Sequence, residues 1–115
     1  MRDPYLEAAR AAIAHCHWIA ARTEDTGRIT RTFLSPPMRE VHEHLGSWMA
    51  SLGMSVRVDA AGNQRGTTGD GPTVIIGSHL DTVPDAGAYD GVLGVVIGIS
   101  LVQLLAGRSL PVALE

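Results

Sequence analysis

The stretch from Thr73 to Leu114 most constrains the fold of this chain. Val74-Ile75-Ile76 is a short continuous apolar run, a polar glycine-rich loop follows from Ser78 to Asp90, and Gly91 to Ala106 is uncharged and apolar on nearly every side. Pro111-Val112-Ala113-Leu114 then reads as the opening of another strand. A short apolar run bounded by turn residues suits a strand covered on both faces, hence central and parallel. Strand, loop, helix and strand make a βαβ unit. The pattern predicts an α/β fold, a mostly parallel sheet with helices on its faces. It also places the Ser78–Asp90 loop at the carboxyl end of a parallel strand, where open α/β sheets bind ligands.

The apolar stretch admits a second reading, because Gly94 and Gly98 form the small-residue pair of membrane helix contacts. From Gly91 to Gly107, however, it is shorter than the roughly 20 residues a bilayer core needs, and it carries Ser100 and Gln103. A buried helix packed closely on the sheet through its glycines is the expectation, and no membrane partner is expected.

Two helices are predicted upstream. Asp3 caps one over residues 4–22, with Pro4 in its first turn and Tyr5, Ala9, Ala12, Ile13, Cys16, Ile19 and Ala20 at helical spacing. Residues 23–34 read as a polar connector. Ser35 is expected to cap the second helix through its hydroxyl, ahead of Pro36-Pro37, with Met38, Val41, Leu45, Trp48, Met49 and Leu52 as its apolar stripe and Gly53 as its stop. Met54, Val56 and Val58 alternate like a half-buried strand, Asp59 to Asn63 is a turn, and Gln64-Arg65-Gly66 is a weak returning strand.

Composition narrows the function classes. A chain of 115 residues, 45% apolar and 18% charged, suits one globular domain and excludes a disordered or fibrous one. A net charge of −3 gives no electrostatic footprint for nucleic acid or an anionic membrane. The single cysteine, Cys16, excludes an internal disulfide framework and reads as a small buried apolar residue. Met-Arg-Asp-Pro does not open a secretory signal, so a cytoplasmic location is expected.

The residues able to do chemistry lie in the loop after the apolar strand. His79 stands where that strand ends, Asp81 follows two residues on, and Asp90 closes the loop before the apolar helix. An imidazole and a carboxylate meeting above a sheet can hold a divalent metal, and a second carboxylate beside the imidazole can fix its tautomer. Asp90 could also bridge two ions about 3.5–4 Å apart, as two-metal hydrolases require. Spacing alone leaves ordinary loop residues as the alternative, with Asp90 a helix cap.

The run Gly77-Ser78-His79-Leu80-Asp81-Thr82-Val83-Pro84, followed by Gly87-Ala88-Tyr89-Asp90-Gly91-Val92-Leu93-Gly94, resembles the dinuclear-metal amidohydrolases of the metallopeptidase and aminoacylase superfamily. It is most similar to the hydantoinase/carbamoylase branch, the N-carbamoyl-L-amino-acid hydrolases and allantoate amidohydrolases, where Asp-Gly-x-x-Gly follows the loop. Ser35-Pro36, Thr30-Arg31 and the turn from Val56 to Asn63 extend the resemblance from about residue 27 onward.

The resemblance implies that His79 ligates one metal, that Asp90 bridges two, and that Asp81 orients His79. Asp59, Gly62 and Asn63 match a structural turn. It implies two divalent ions (Zn, Mn, Co or Ni), a small-molecule ureido or amide substrate and a homodimer for full-length relatives. It also implies a Glu-Glu pair, two further histidine ligands and a lid or dimerisation domain beyond residue 115. Residues 1–115 are thus expected to be the N-terminal portion of a catalytic domain that lacks the lid domain, binds at most one metal weakly and is inactive alone. A non-catalytic remnant, or a small single-metal-binding module, stays open as the alternative.

Other histidines promise less. His15, Cys16 and His17 are consecutive on a helix and cannot all face one ion, and His42 and His44 meet the same objection. Trp18 and Trp48 are expected at the edge of the core.

Overall fold

A computed structural model describes all 115 residues. In chain order the elements are helices α1 (Pro4–Ala20) and α2 (Pro36–Ser51), strands β1 (Ser55–Val58), β2 (Gln64–Thr67) and β3 (Thr73–Val74), helix α3 (Val92–Leu104) and strand β4 (Ala113–Leu114). β1 and β2 form an antiparallel hairpin, with Val56 opposite Gly66. β3 and β4 pair in parallel, Thr73 with Ala113 and Val74 with Leu114. An antiparallel bridge between Thr68 and Leu114 joins the two ladders. The α/β class and the parallel β3–α3–β4 unit match the expectation. The pairing as a whole is mixed rather than mostly parallel, because β2 meets β4 in the opposite sense.

Local chemistry accounts for the helix ends. The Asp3 carboxylate accepts from the backbone N–H groups of Tyr5 and Leu6, as an N-cap should. Ser35 has cap geometry but makes no side-chain cap bond, and its hydroxyl is buried without a partner. Pro36 and Pro37 bring no N–H to the first turn, and the Met38 N–H is taken by the Ser35 carbonyl at 2.9 Å. Gly53, at φ +80°, ends α2 and turns the chain so that Met54 is buried.

The core joins one face of each helix. Ala12, Cys16 and Ile19 come from α1, Val41, Leu45 and Met49 from α2, and Val92, Val96, Ile99 and Val102 from α3. Tyr5 and Ile13, expected on the apolar face of α1, are exposed. Tyr5 lines a shallow hollow shared with Ile97 and Leu101 of α3 rather than entering the core.

Two expectations about burial need correction. Val74, Ile75 and Ile76 are 46%, 66% and 40% exposed rather than covered on both faces. Gly98 of α3 lies against Ile76, and Ile75 and Ile76 line a cleft that opens between α2, the hairpin and this run. α3 likewise buries one stripe and leaves Ile97 and Leu101 exposed. Its glycines act as expected: a Cβ on Gly98 would come within 3.2 Å of Ile76 and one on Gly94 within 2.8 Å of the Ser78 hydroxyl, so both permit the close approach. No helix is long and apolar enough to cross a membrane.

α1 lies directly against α3, but it meets α2 through large rings. Trp18 stacks on His44, with centroids 3.9 Å apart, and His15 stacks on Trp48 at the same separation. His15 Nδ1 and His44 Nε2 are 3.0 Å apart. Arg22 covers the outer face of Trp18, and Trp48 Nε1 donates to Gln103 of α3. The expectation that both tryptophans border the core holds.

Burial pushes His15, His42 and His44 below the ordinary imidazole value of 6.5; the neighbouring His44 adds to the effect on His15, and Arg22 to that on His44. The unfolded chain therefore takes up protons near pH 6.5 while the folded chain resists them. This contribution to stability is complete above that value and is lost as the pH falls below it. Urea unfolding at about pH 8 and about pH 5.5 should show a lower midpoint at the acid pH. Equal midpoints would show that these rings are not desolvated.

Candidate metal centre

Beyond β3 the chain stays beside β4, with the Ile76 N–H donating to the Glu115 carbonyl. His79 lies at the end of this extended run and Asp90 just before α3, so the parallel unit brings both to one edge of the sheet. His79 Nδ1 is 2.8 Å from the backbone oxygen of Asp81. A carbonyl only accepts, so Nδ1 carries the proton and the Nε2 lone pair is free. Nε2 faces the Asp90 carboxylate, with Oδ2 at 4.0 Å. The nearer oxygen of the Asp81 side chain is 3.7 Å from Nδ1. All three side chains are about half exposed or more.

This arrangement suits an ion. Zinc bonds to imidazole nitrogen and carboxylate oxygen are each about 2.0–2.2 Å, so a gap of this width accepts one ion with a small inward movement. Asp90 is also free to bind it, because the α3 cap position is Gly91 and no side chain caps the helix. No group of three or more His, Cys, Asp and Glu side chains converges in the chain.

Gly91 shapes the back of the site. It has φ +70°, and a Cβ there would lie 2.4 Å from His79 Cε1 and 2.5 Å from the His79 carbonyl oxygen. Gly91→Ala should displace the imidazole and strain the backbone, so the His79 ring resonances should shift while those of His15 and His44 stay in place. An unmoved His79 would show that the ring is not held against this glycine.

A buried arginine holds the loop in place. Arg31 is fully buried. Its Nε donates to the Leu80 carbonyl, and its Nη1 donates to those of Ile19 and Arg22. The Arg31 backbone N–H donates to the Thr82 hydroxyl and its carbonyl accepts from the Thr82 N–H. Thr30 and Ile29 continue the contact by accepting from the N–H groups of Asp85 and Ala86. Burial lowers the Arg31 pKa and the charge of Asp81 opposes that shift.

The sequence expectation made this stretch a polar connector and used Thr30-Arg31 only as a point of resemblance. A lone arginine among polar residues has no periodicity to mark it as buried. Arg31→Met would leave the Leu80 and Arg22 carbonyls without a donor, while the Ile19 carbonyl keeps the Arg22 N–H, and would cost on the order of 2 kcal/mol. Hydrogen exchange should quicken at the Thr82 and Ala86 amides, and wild-type protection there would refute the role.

A cleft of about 400 Å³ opens beside His79 and Asp81, between α2, the hairpin and the β3 run. Asn63, Arg65, His42 and Phe33 are among its walls, and Asp90 is outside them. Arg65 pairs with Glu115 and holds that carboxyl below its ordinary value. Asp59 accepts from the N–H groups of Ala61 and Asn63 and from the Asn63 amide, which keeps its pKa low and closes the turn.

The chain has relatives among known proteins. The chain is 37% identical over 98 residues to allantoate deiminase from Arabidopsis thaliana, covering 82% of this chain and 19% of that protein. It is 37% identical over 86 residues to an N-carbamoyl-L-amino acid amidohydrolase from Geobacillus stearothermophilus, covering 71% of this chain and 21% of that one. Its fold superposes on a hydantoinase/carbamoylase family amidase from Burkholderia ambifaria with a TM-score of 0.83 and 32% identity, over 93% of this chain and 28% of the other. The chain belongs to the hydantoinase/carbamoylase family of amidases. No family model matches it. It spans about a fifth of the length of the curated relatives it matches.

Proposed function

We propose that this chain supplies part of the metal site of an amidohydrolase that cleaves a C–N bond of an N-carbamoyl amino acid, allantoate or a similar small ureido or amide substrate. The observation that carries this is the free Nε2 of His79 facing Asp90, on a loop that the β3–α3–β4 unit and Arg31 hold in place. The names of the relatives supply the substrate class, and a cleft of about 400 Å³ beside the imidazole is of small-molecule size.

His79 Nε2 and the Asp90 carboxylate would hold a divalent ion, with zinc, manganese, cobalt and nickel all compatible with mixed imidazole and carboxylate donors. When bound, the ion supplies Lewis acidity and lowers the pKa of water. The chain's own residues set the donor geometry. The Asp81 carbonyl fixes the Nδ1–H tautomer, Gly91 leaves room for the ring, and Arg31 holds the Leu80 carbonyl next to it. Asp90 has a second oxygen through which it could bridge to another ion.

Two donors leave most of a tetrahedral shell to water. The 115-residue polypeptide should therefore bind zinc weakly and show no turnover of allantoate or N-carbamoyl amino acids. Zinc titration followed by histidine ring NMR should shift His79 Nε2. That shift should be lost in Asp90→Ala, whereas Asp81→Ala keeps the backbone carbonyl and should weaken binding by less than roughly tenfold. A His79 ring that ignores zinc would sink the metal assignment. Hydrolysis by these residues that survives His79→Ala would sink the proposed role in catalysis.

A further inference from the structure

Asp90 closes the loop without a hold of its own. Its carboxylate makes no cap bond to α3 and is 60% exposed, so the backbone around it sets its aim at His79. On one side that backbone is fixed by α3, where the Leu93 N–H donates to the Tyr89 carbonyl and the Val92 N–H to that of Asp90. The other side is looser. Gly87 is at φ +81°, with nothing within 4 Å of where its Cβ would stand. Gly87 and Ala88 separate Tyr89 from the last anchor of the loop, the Ala86 N–H on the Ile29 carbonyl.

One contact spans this gap. His17, in the last turn of α1, places Nε2 2.9 Å from the Tyr89 hydroxyl, across 72 residues of sequence. A phenol hydroxyl both donates and accepts, so either tautomer of the imidazole makes this bond. The ring centroids are 5.9 Å apart and tilted by 46°, and both side chains are exposed. The hydrogen bond, rather than burial, ties them. The same end of α1 offers the Ile19 carbonyl to Arg31 Nη1, and Arg31 Nε donates to the Leu80 carbonyl beside His79. The last turns of α1 thus reach both candidate ligands, His79 through Arg31 and Asp90 through Tyr89.

We propose that His17 is a positioning residue for the metal centre: its bond to Tyr89 fixes the backbone at Asp90 and keeps the carboxylate facing His79. The consequence for metal binding rests on the reading of His79 and Asp90 as ligands, whereas the tether itself can be measured without metal. His17→Ala and Tyr89→Phe each remove the bond at the surface. In the metal-free chain both should raise backbone mobility from Gly87 to Gly91, read by nitrogen-15 relaxation, and leave Thr82 and Ala86 as they are. In the presence of zinc, the affinity read from the His79 ring shift should fall by roughly two- to tenfold, the range open to one net hydrogen bond. His17→Gln, whose amide also donates and accepts, should restore both readings. Mobility at Tyr89 and Asp90 unaltered in both bond-breaking variants would overturn the tether. Raised mobility with unchanged zinc affinity would overturn the positioning role, because a contact that only stabilises the fold gives that result. A wild-type His79 that ignores zinc would count against the metal reading instead, and the relaxation data would still decide whether His17 holds Asp90.

Discussion

The buried guanidinium of Arg31 is the contact on which the arrangement of the loop depends. A charge taken out of water needs hydrogen bonds that bury well, and three carbonyls from separate places supply them. Two, Ile19 and Arg22, lie at and just beyond the C-terminal end of α1; the Ile19 carbonyl also accepts from the Arg22 N–H, and that of Arg22 accepts from the guanidinium. The third, Leu80, lies between His79 and Asp81. One side chain thus satisfies the end of a helix and anchors the segment with the candidate ligands. The negative charge of Asp81 nearby favours keeping it ionised.

A second constraint acts from below. Gly94 and Gly98 let the run from Ile76 to Ser78 approach α3 more closely than any side chain would allow. That approach, with the parallel pairing of β3 to β4, brings the end of the strand and the start of the helix to the same edge. His79 and Asp90, eleven residues apart in sequence, face each other there because the loop between them leaves and returns to that edge. Gly91 then admits the imidazole where a Cβ would collide with it. The site is thus a product of close packing as much as of its polar residues.

The same economy appears where α1 meets α2. Alternating indoles and imidazoles fill a space too wide for the backbones to touch, and the stack extends to α3 through Trp48 and Gln103. Gln103, a polar residue in an otherwise apolar helix, has its partner there. Val74 and Ile75 of the β3 run and Ile97 and Leu101 of α3 stay exposed outside these contacts.

The sequence by itself determined the α/β class, the three helices, the hairpin and the family, because each is written in local pattern. Apolar period, proline and glycine at element ends, and the run from Gly77 to Gly94 are all properties of neighbours in the chain. It also marked His79, Asp81 and Asp90 as a group, since loop and strand end are close in sequence. Only the tertiary structure decided that the Asp81 backbone rather than its side chain makes the short contact with His79, that Ser35 does not cap through its hydroxyl, that Arg31 is buried, and that His15 meets His44. Each depends on which distant groups compete for the same space and the same hydrogen bonds. Periodicity registers a side chain's polarity and cannot register a partner thirty or fifty residues away.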